Sequence, residues 1–268
     1  MPSSPSRPSC RNCRDAGLAP DFTMAFQPIV DTEHGTVYAH EALVRPIGGG
    51  SAQEVLTRIT EENRYAFDQA CRVRAITLAA GLRMRSLLNI NFLPNAVYQP
   101  AACIRATLEA AARNGFPLHQ IVFEVTEDER SRDAAHLMAI FTEYKRHGML
   151  TAIDDFGAGH SGLNLLAQFQ PDIVKIDMAL TRNIHTDRVR RIITHSIAQM
   201  CAQLGITVIA EGIESLDEAL CLRELGIHLL QGYYFARPAL EALPQISSEA
   251  LHALRTPFES HLLERAAH

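Results

Sequence analysis

Eight short stretches rich in β-branched and aliphatic residues alternate along this chain with stretches of helical spacing, and that alternation restricts the fold more than any other feature. The strand-like stretches are 24–30, 36–44, 87–92, 121–126, 150–154, 173–177, 207–211 and 229–235. Between most of them, at 64–85, 103–114, 134–147, 188–204 and 216–225, apolar residues recur at helical intervals. Strands separated by helices pair in parallel through right-handed crossovers, and eight of them in about 220 residues close most simply into a barrel. One link departs from this. Residues 31–35 are too few for a crossover, so the first two strands pair antiparallel. The predicted fold is therefore α/β, a modified TIM-type (β/α)8 barrel with an antiparallel first strand.

The barrel is expected over residues 22–245. Residues 1–21, rich in Ser, Pro and Arg, read as a flexible leader, and residues 246–268 as a helical tail. That tail carries Leu251, Leu254, Leu262 and Leu263 at helical spacing and is expected to pack on the barrel or on a partner. Gly48, Gly49 and Gly50 are not followed by the Lys and Ser or Thr of a phosphate loop, so they read as a connection before a helix at 51–62.

Lys and Arg number 25 against 30 Asp and Glu, and a formal charge of -5 offers no broad attraction to DNA or to an anionic membrane. An anionic substrate must then be met by local charge. No apolar run reaches the roughly 18 residues of a membrane span, and the first ten residues lack a secretory apolar centre, so a cytoplasmic location is expected. Cys71, Cys103, Cys201 and Cys221 sit singly in apolar stretches and read as reduced core thiols. Cys10 and Cys13 form a CxxC without the further ligands that structural zinc requires. No HExxH or GxSxG is present.

In a barrel of this type chemistry collects at the C-terminal ends of the strands. Read in order, those ends carry Glu41, Asn91, Glu124, Asp154 with Asp155, Lys175 with Asp177, Glu211 and Gln231. Several of these carboxylates are framed by apolar neighbours, where an uncompensated charge costs several kcal/mol. Lys175 and Arg45 are the evident basic partners, too few for so many acids. Divalent cations are the economical remedy, and hard oxygen donors suit Mg²⁺ or Mn²⁺.

The segments FQPIV (26–30), EALVR (41–45), INF (90–92), FEVTE (123–127), IDDFGAGHSGL (153–163), PDIVKID (171–177), AEGIE (210–214) and QGYYFARP (231–238) resemble, in order, the signature blocks of the EAL family of cyclic di-GMP phosphodiesterases. The resemblance implies hydrolysis of cyclic di-GMP to linear pGpG at two divalent cations. Mg²⁺ or Mn²⁺ would serve, and Ca²⁺ would inhibit. It implies that Glu41, Asn91, Glu124, Asp154 and Glu211 bind metal, with Asp155 and Asp177 at the second ion or bridging through water. Asn89 shares the strand parity of Asn91 and stays open as the alternative ligand. Lys175 would orient the attacking water, with Glu41 and Glu211 in the catalytic set. Arg45 would hold a phosphate, Gln27 and Leu43 would seat the dinucleotide, and Gln231 would touch the water network. Glu127 would couple the 155–162 loop to a homodimer interface, and a separate regulatory protein is a further possible partner. The alternative is a catalytically weak cyclic di-GMP receptor or antirepressor acting through protein contacts. The sequence departs from the family pattern at Leu93, Pro46, Ala158 and His160, none of them an implied ligand.

Overall fold

The structure, a computed structural model, describes residues 21–126, 134–159 and 162–255. Its strands are β1 (Thr23–Asp31), β2 (Thr36–Arg45), β3 (Leu87–Asn91), β4 (Ile121–Thr126), β5 (Leu150–Phe156), β6 (Ile173–Ile176), β7 (Thr207–Ala210), β8 (Leu229–Gln231) and β9 (Ala239–Leu240). The helices are α1 (Ala52–Leu56), α2 (Arg64–Gly81), α3 (Pro100–Cys103), α4 (Arg105–Asn114), α5 (Ala134–Arg146), α6 (Gly162–Gln168), α7 (Met178–Thr181), α8 (Arg188–Leu204), α9 (Leu216–Glu224) and α10 (Ser248–Arg255). β2 through β8 pair in parallel and in sequence order, and β1 closes the ring by pairing antiparallel with both β8 and β2. The eight-stranded closed barrel with a reversed first strand is thus the observed architecture.

Three of the boundaries that differ from the sequence reading have a visible cause. The helix expected at 51–62 covers only α1: Ser51 and Glu54 cap its start, and beyond it the Asn63 amide donates to Arg58 O and accepts from Thr60 N–H, bonding that closes a turn instead. β6 stops at Ile176 because Asp177 caps α7, accepting from Ala179 N–H at 2.8 Å. β8 stops at Gln231 because Gly232 lies against the Ile213 backbone, so closely that a Cβ there would fall 2.0 Å from Ile213 O. β9, not foreseen in the sequence, pairs with β1 at Ala25 and Phe26. The described part of the tail packs on the barrel side, where Ala250 and Leu254 of α10 join the apolar cluster that includes Ala219 and Leu222 of α9. Leu262 and Leu263, like Cys10 and Cys13, lie outside the described residues. No helix among the described residues is long and apolar enough to cross a membrane.

Inside the barrel one buried apolar cluster gathers Ile29, Ala39, Val122, Ala152, Ile173 and Ile209, with Leu87 and Leu229 packed against it. Each of the eight barrel strands contributes one of these residues. Outside, α2, α4 and α5 cover β3 and β4 through a second cluster that contains Phe92, Phe123, Phe141 and Tyr144.

Candidate metal centre

Successive inward side chains along a strand are two residues apart, and a step of two from the apolar layer changes its character completely. Toward the C-terminal end of the barrel, Ala39 is followed by Glu41, Leu87 by Asn89, Val122 by Glu124, Ala152 by Asp154, Ile173 by Lys175, Ile209 by Glu211 and Leu229 by Gln231. On the reversed β1 the matching step runs backward from Ile29 to Gln27, which stands level with Glu41. Every strand therefore delivers one polar group to the same floor, and the apolar layer beneath keeps water from entering from below.

Lys175 is the hub of this floor. Its side chain is 1% exposed, and Nζ lies 2.6 Å from Glu211, 3.0 Å from Asp154, 3.1 Å from Glu124 and 3.2 Å from Glu41. Burial alone would lower its proton affinity, but the four carboxylates outweigh that and hold the ammonium well above an ordinary lysine. One ammonium cannot satisfy them all. Burial, reinforced by neighbouring carboxylates and opposed by Lys175, pushes Glu124 up to about 8 and keeps Asp154 above and Glu211 well above the usual carboxylate range. Glu41 goes the other way: burial works to raise it, yet the Lys175 charge and hydrogen bonds from Gln231, Lys175 and Asn91 hold it low. Gln231 donates to Glu41 at 2.8 Å and Asn91 donates to its other oxygen at 3.0 Å.

Neighbouring residues of a strand normally face opposite sides, so the pair Asp154 and Asp155 needs a device to reach one rim. The device is an irregularity between Ile153 and Phe156, where Asp155 takes φ +52. That conformation costs a non-glycine residue on the order of 1 kcal/mol. It brings the Asp155 carboxyl into hydrogen-bonding contact with Asp177, and burial together with the charges of Asp154 and Asp177 raises Asp155 to about 6.

Two sets of three carboxylates have oxygens within 4.8 Å of one another: Glu41, Glu124 and Asp154, and Asp154, Asp155 and Glu211. Asp154 belongs to both. All donors are oxygens, the set suited to a hard divalent cation. Two further oxygens, Asn89 Oδ1 and Gln231 Oε1, are buried without a hydrogen-bond partner. A buried acceptor in that position is unusual and is what a cation or its water would satisfy. The residues present fit a pair of divalent cations.

One cavity borders this floor and a second lies between β2, β3 and α2. The first, of about 240 Å³, is lined by Gln27, Glu41, Arg182, Glu211, Glu214 and Tyr233 among others. The other, about 350 Å³ and largely apolar, lies beside β2 and is lined by Leu43, Arg45, Phe67, Asn91 and Leu93 among others. The four side chains implied for substrate thus divide, Gln27 with Gln231 on one side and Leu43 with Arg45 on the other. Arg45 donates to Val44 O at 2.7 Å and is not ion-paired to the carboxylates among the described residues. Asn91 is exposed at the rim, whereas Asn89 is fully buried and donates to Glu124. Sequence reasoning held Asn89 open only as the alternative to Asn91; a further signal was the step of two from Leu87. Glu127 lies outside the described residues.

Comparison with known proteins meets this geometry from another side. Residues 11–238 match the family model described as EAL domain. Among curated relatives in Escherichia coli, the blue light- and temperature-regulated antirepressor BluF is 31% identical over 224 residues, covering 83% of this chain and 56% of that protein. The probable cyclic di-GMP phosphodiesterase PdeD is 30% identical over 233 residues, 83% of this chain and 42% of that protein. The chain thus spans about half the length of these relatives. Among solved structures, the cyclic di-GMP-bound form of a standalone versatile EAL protein from Vibrio cholerae O395 superposes with TM-score 0.84 at 53% identity, covering 87% of this chain and 99% of that one. A manganese and cyclic di-GMP complex of BlrP1 from Klebsiella pneumoniae gives TM-score 0.81 at 37% identity, with 86% and 59% covered. A block-by-block sequence match, a reversed first strand and a carboxylate-lined floor converge on one conclusion: the chain belongs to the EAL domain family.

Proposed function

We propose that this chain hydrolyses cyclic di-GMP to linear pGpG with two divalent cations, Mg²⁺ or Mn²⁺. The observation that carries the proposal is the pair of carboxylate sets sharing Asp154 around a single buried lysine. Glu41, Asn91, Glu124, Asp154 and Glu211 would hold the cations, with Asp155 and Asp177 at the outer ion. When bound, such ions acidify a water and offset charge on a phosphodiester.

The chain's own groups supply the rest. Lys175 Nζ, a donor held at one point by four carboxylates, orients the attacking water and stabilises charge developing on the phosphate. Glu211, whose Oε1 lies 2.6 Å from Nζ, would join the catalytic set through that contact. Glu41 is held as an anion and keeps its oxygens available as ligands. Arg45 meets the second phosphate, and Gln27, Gln231 and Leu43, on the neighbouring strands β1, β8 and β2, seat the dinucleotide. The cavity lined by Gln27, Glu41 and Gln231 leaves room beside the floor for part of such a ligand. A cytoplasmic homodimer, with a separate protein as regulator, belongs to the same proposal.

The test is purified protein with cyclic di-GMP and Mg²⁺ or Mn²⁺, with products resolved. Formation of pGpG that stops with chelator is expected; turnover undiminished in chelator would sink the metal mechanism. Ca²⁺, larger and tolerant of looser geometry, is expected to support binding and little turnover. The likeness to the antirepressor BluF favours a second reading, a receptor acting through protein contacts. Tight cyclic di-GMP binding with no product under any metal would select it.

A further inference from the structure

Behind the wall that carries Asn91 and Glu124, α2 buries a second charged group. Asp68 and Arg72, one turn apart, are 2% and 0% exposed, and their side chains meet at 2.8 Å. Arg72 also donates to the Tyr144 hydroxyl at 2.8 Å, and its guanidinium lies 4.8 Å from the Phe123 ring and 5.6 Å from the Phe92 ring. Those two rings belong to the chain neighbours of Glu124 and Asn91. The second Asp68 oxygen accepts from Leu93 N–H at 2.9 Å, while Phe92 N–H donates to Glu124 O at 3.0 Å. The exit of β3 is therefore pinned from both sides, to β4 by its backbone and to α2 by a buried carboxylate.

For stability alone this arrangement is a poor choice, because a well-packed apolar replacement of a buried ion pair is often neutral or stabilising. An ion pair does differ from apolar packing in direction: its geometry fixes where Leu93 N and the two rings stand. We infer that Asp68, Arg72 and Tyr144 form a positioning group that sets the places of Asn91 and Glu124, and through them the affinity of the floor for its cation. The inference rests on the reading of that floor as a divalent-cation site. Outer partners that orient ligands typically change metal affinity by about 10–100-fold when lost.

The experiment compares the parent, the double variant Asp68→Leu with Arg72→Met, and Tyr144→Phe. Each is melted without metal and then titrated with Mn²⁺ by calorimetry, and the Mn²⁺ dependence of cyclic di-GMP hydrolysis is recorded beside it. The double variant is expected to fold with a metal-free Tm near or above the parent's, yet to bind Mn²⁺ about 10–100-fold more weakly. Its rate at saturating Mn²⁺ and saturating cyclic di-GMP should stay within about 3-fold of the parent, since the groups that touch the reacting atoms are intact. Tyr144→Phe, which removes one hydroxyl, should weaken Mn²⁺ binding by about 2–5-fold. A folded double variant with parental Mn²⁺ affinity overturns the inference and leaves the metal site standing. Should the double variant fail to fold, Tyr144→Phe decides alone, and parental affinity there overturns it equally. A parent that binds no Mn²⁺ overturns the metal reading itself.

Discussion

Two buried charged groups stand back to back across the wall of β3 and β4, and they differ in how their charges are matched. On the outer side one carboxylate, Asp68, faces one guanidinium, Arg72, within a jacket of aromatic rings. On the inner side Glu41, Glu124, Asp154 and Glu211 share one ammonium, with Asp155 and Asp177 beside them. A matched buried pair carries no net charge; a buried excess of acid must take up protons or cations from solution. The same residue types thus give a fixed part of the scaffold on one side and a receptive surface on the other.

The largest effect expected on this contrast comes from Lys175→Ala, which removes the sole basic partner of the inner group among the described residues. Turnover should fall by about 10² or more, the scale of a general acid or base, with little loss of cyclic di-GMP affinity. Glu41→Ala should instead weaken Mn²⁺ binding and turnover together. Calorimetry and product analysis on both variants check this, and a Lys175→Ala protein that hydrolyses at the parent rate reduces the lysine to a charge-balancing part.

The pH dependence is of intermediate size. Glu124, at about 8 in the fold against an ordinary 4.5, and Asp155, at about 6 against 3.8, bind protons more readily folded than unfolded. Their contribution therefore favours the fold below pH 4 and is lost as pH rises through 6 and then 8. Metal-free protein should lose thermal stability across that window, and Mn²⁺ should restore it. Apparent Mn²⁺ affinity should climb by up to about tenfold per pH unit for each proton displaced. Melts and titrations at pH 5 to 9 measure both; a metal-free Tm that rises steadily across the window contradicts the excess of acid.

Arg45→Ala gives the smallest effect, because this arginine belongs to neither group. A lost charged hydrogen bond of about 1.5–3 kcal/mol to a substrate phosphate should raise KM by about 10–100-fold with kcat nearly unchanged. A fall in kcat with KM constant would instead draw Arg45 into the inner group.

How much of this was legible follows from which signals are local. Alternation of strand and helix spacing gave the barrel, and the five-residue link at 31–35 gave the reversed strand, because both are properties of neighbours in sequence. Glu41, Glu124, Asp154 and Lys175 stood out for the same reason, as charges within apolar runs. The pairing of Arg72 with Tyr144, 72 residues on, left no such mark; Arg72 reads as one more polar position of a helix. β9 is two residues long and exists through its contact with β1, which no local preference announces. Asp177 looked like the next inward residue of a strand, but its capping bond to Ala179 ends the strand one residue earlier.

The reversed β1 has a consequence for how such a barrel is plugged into larger machines. Because Thr23 stands level with Arg45, the chain enters at the mouth above the carboxylate floor, and the turn that follows β1 lies at the far end. β9 returns to flank that doorway, where Glu241 bonds Thr23 and Arg74. An input module spliced ahead of Thr23 would thus have its linker end four residues from Gln27, and a pull on that linker would be felt by the strand that lines the cavity beside Glu41 before it reached any loop.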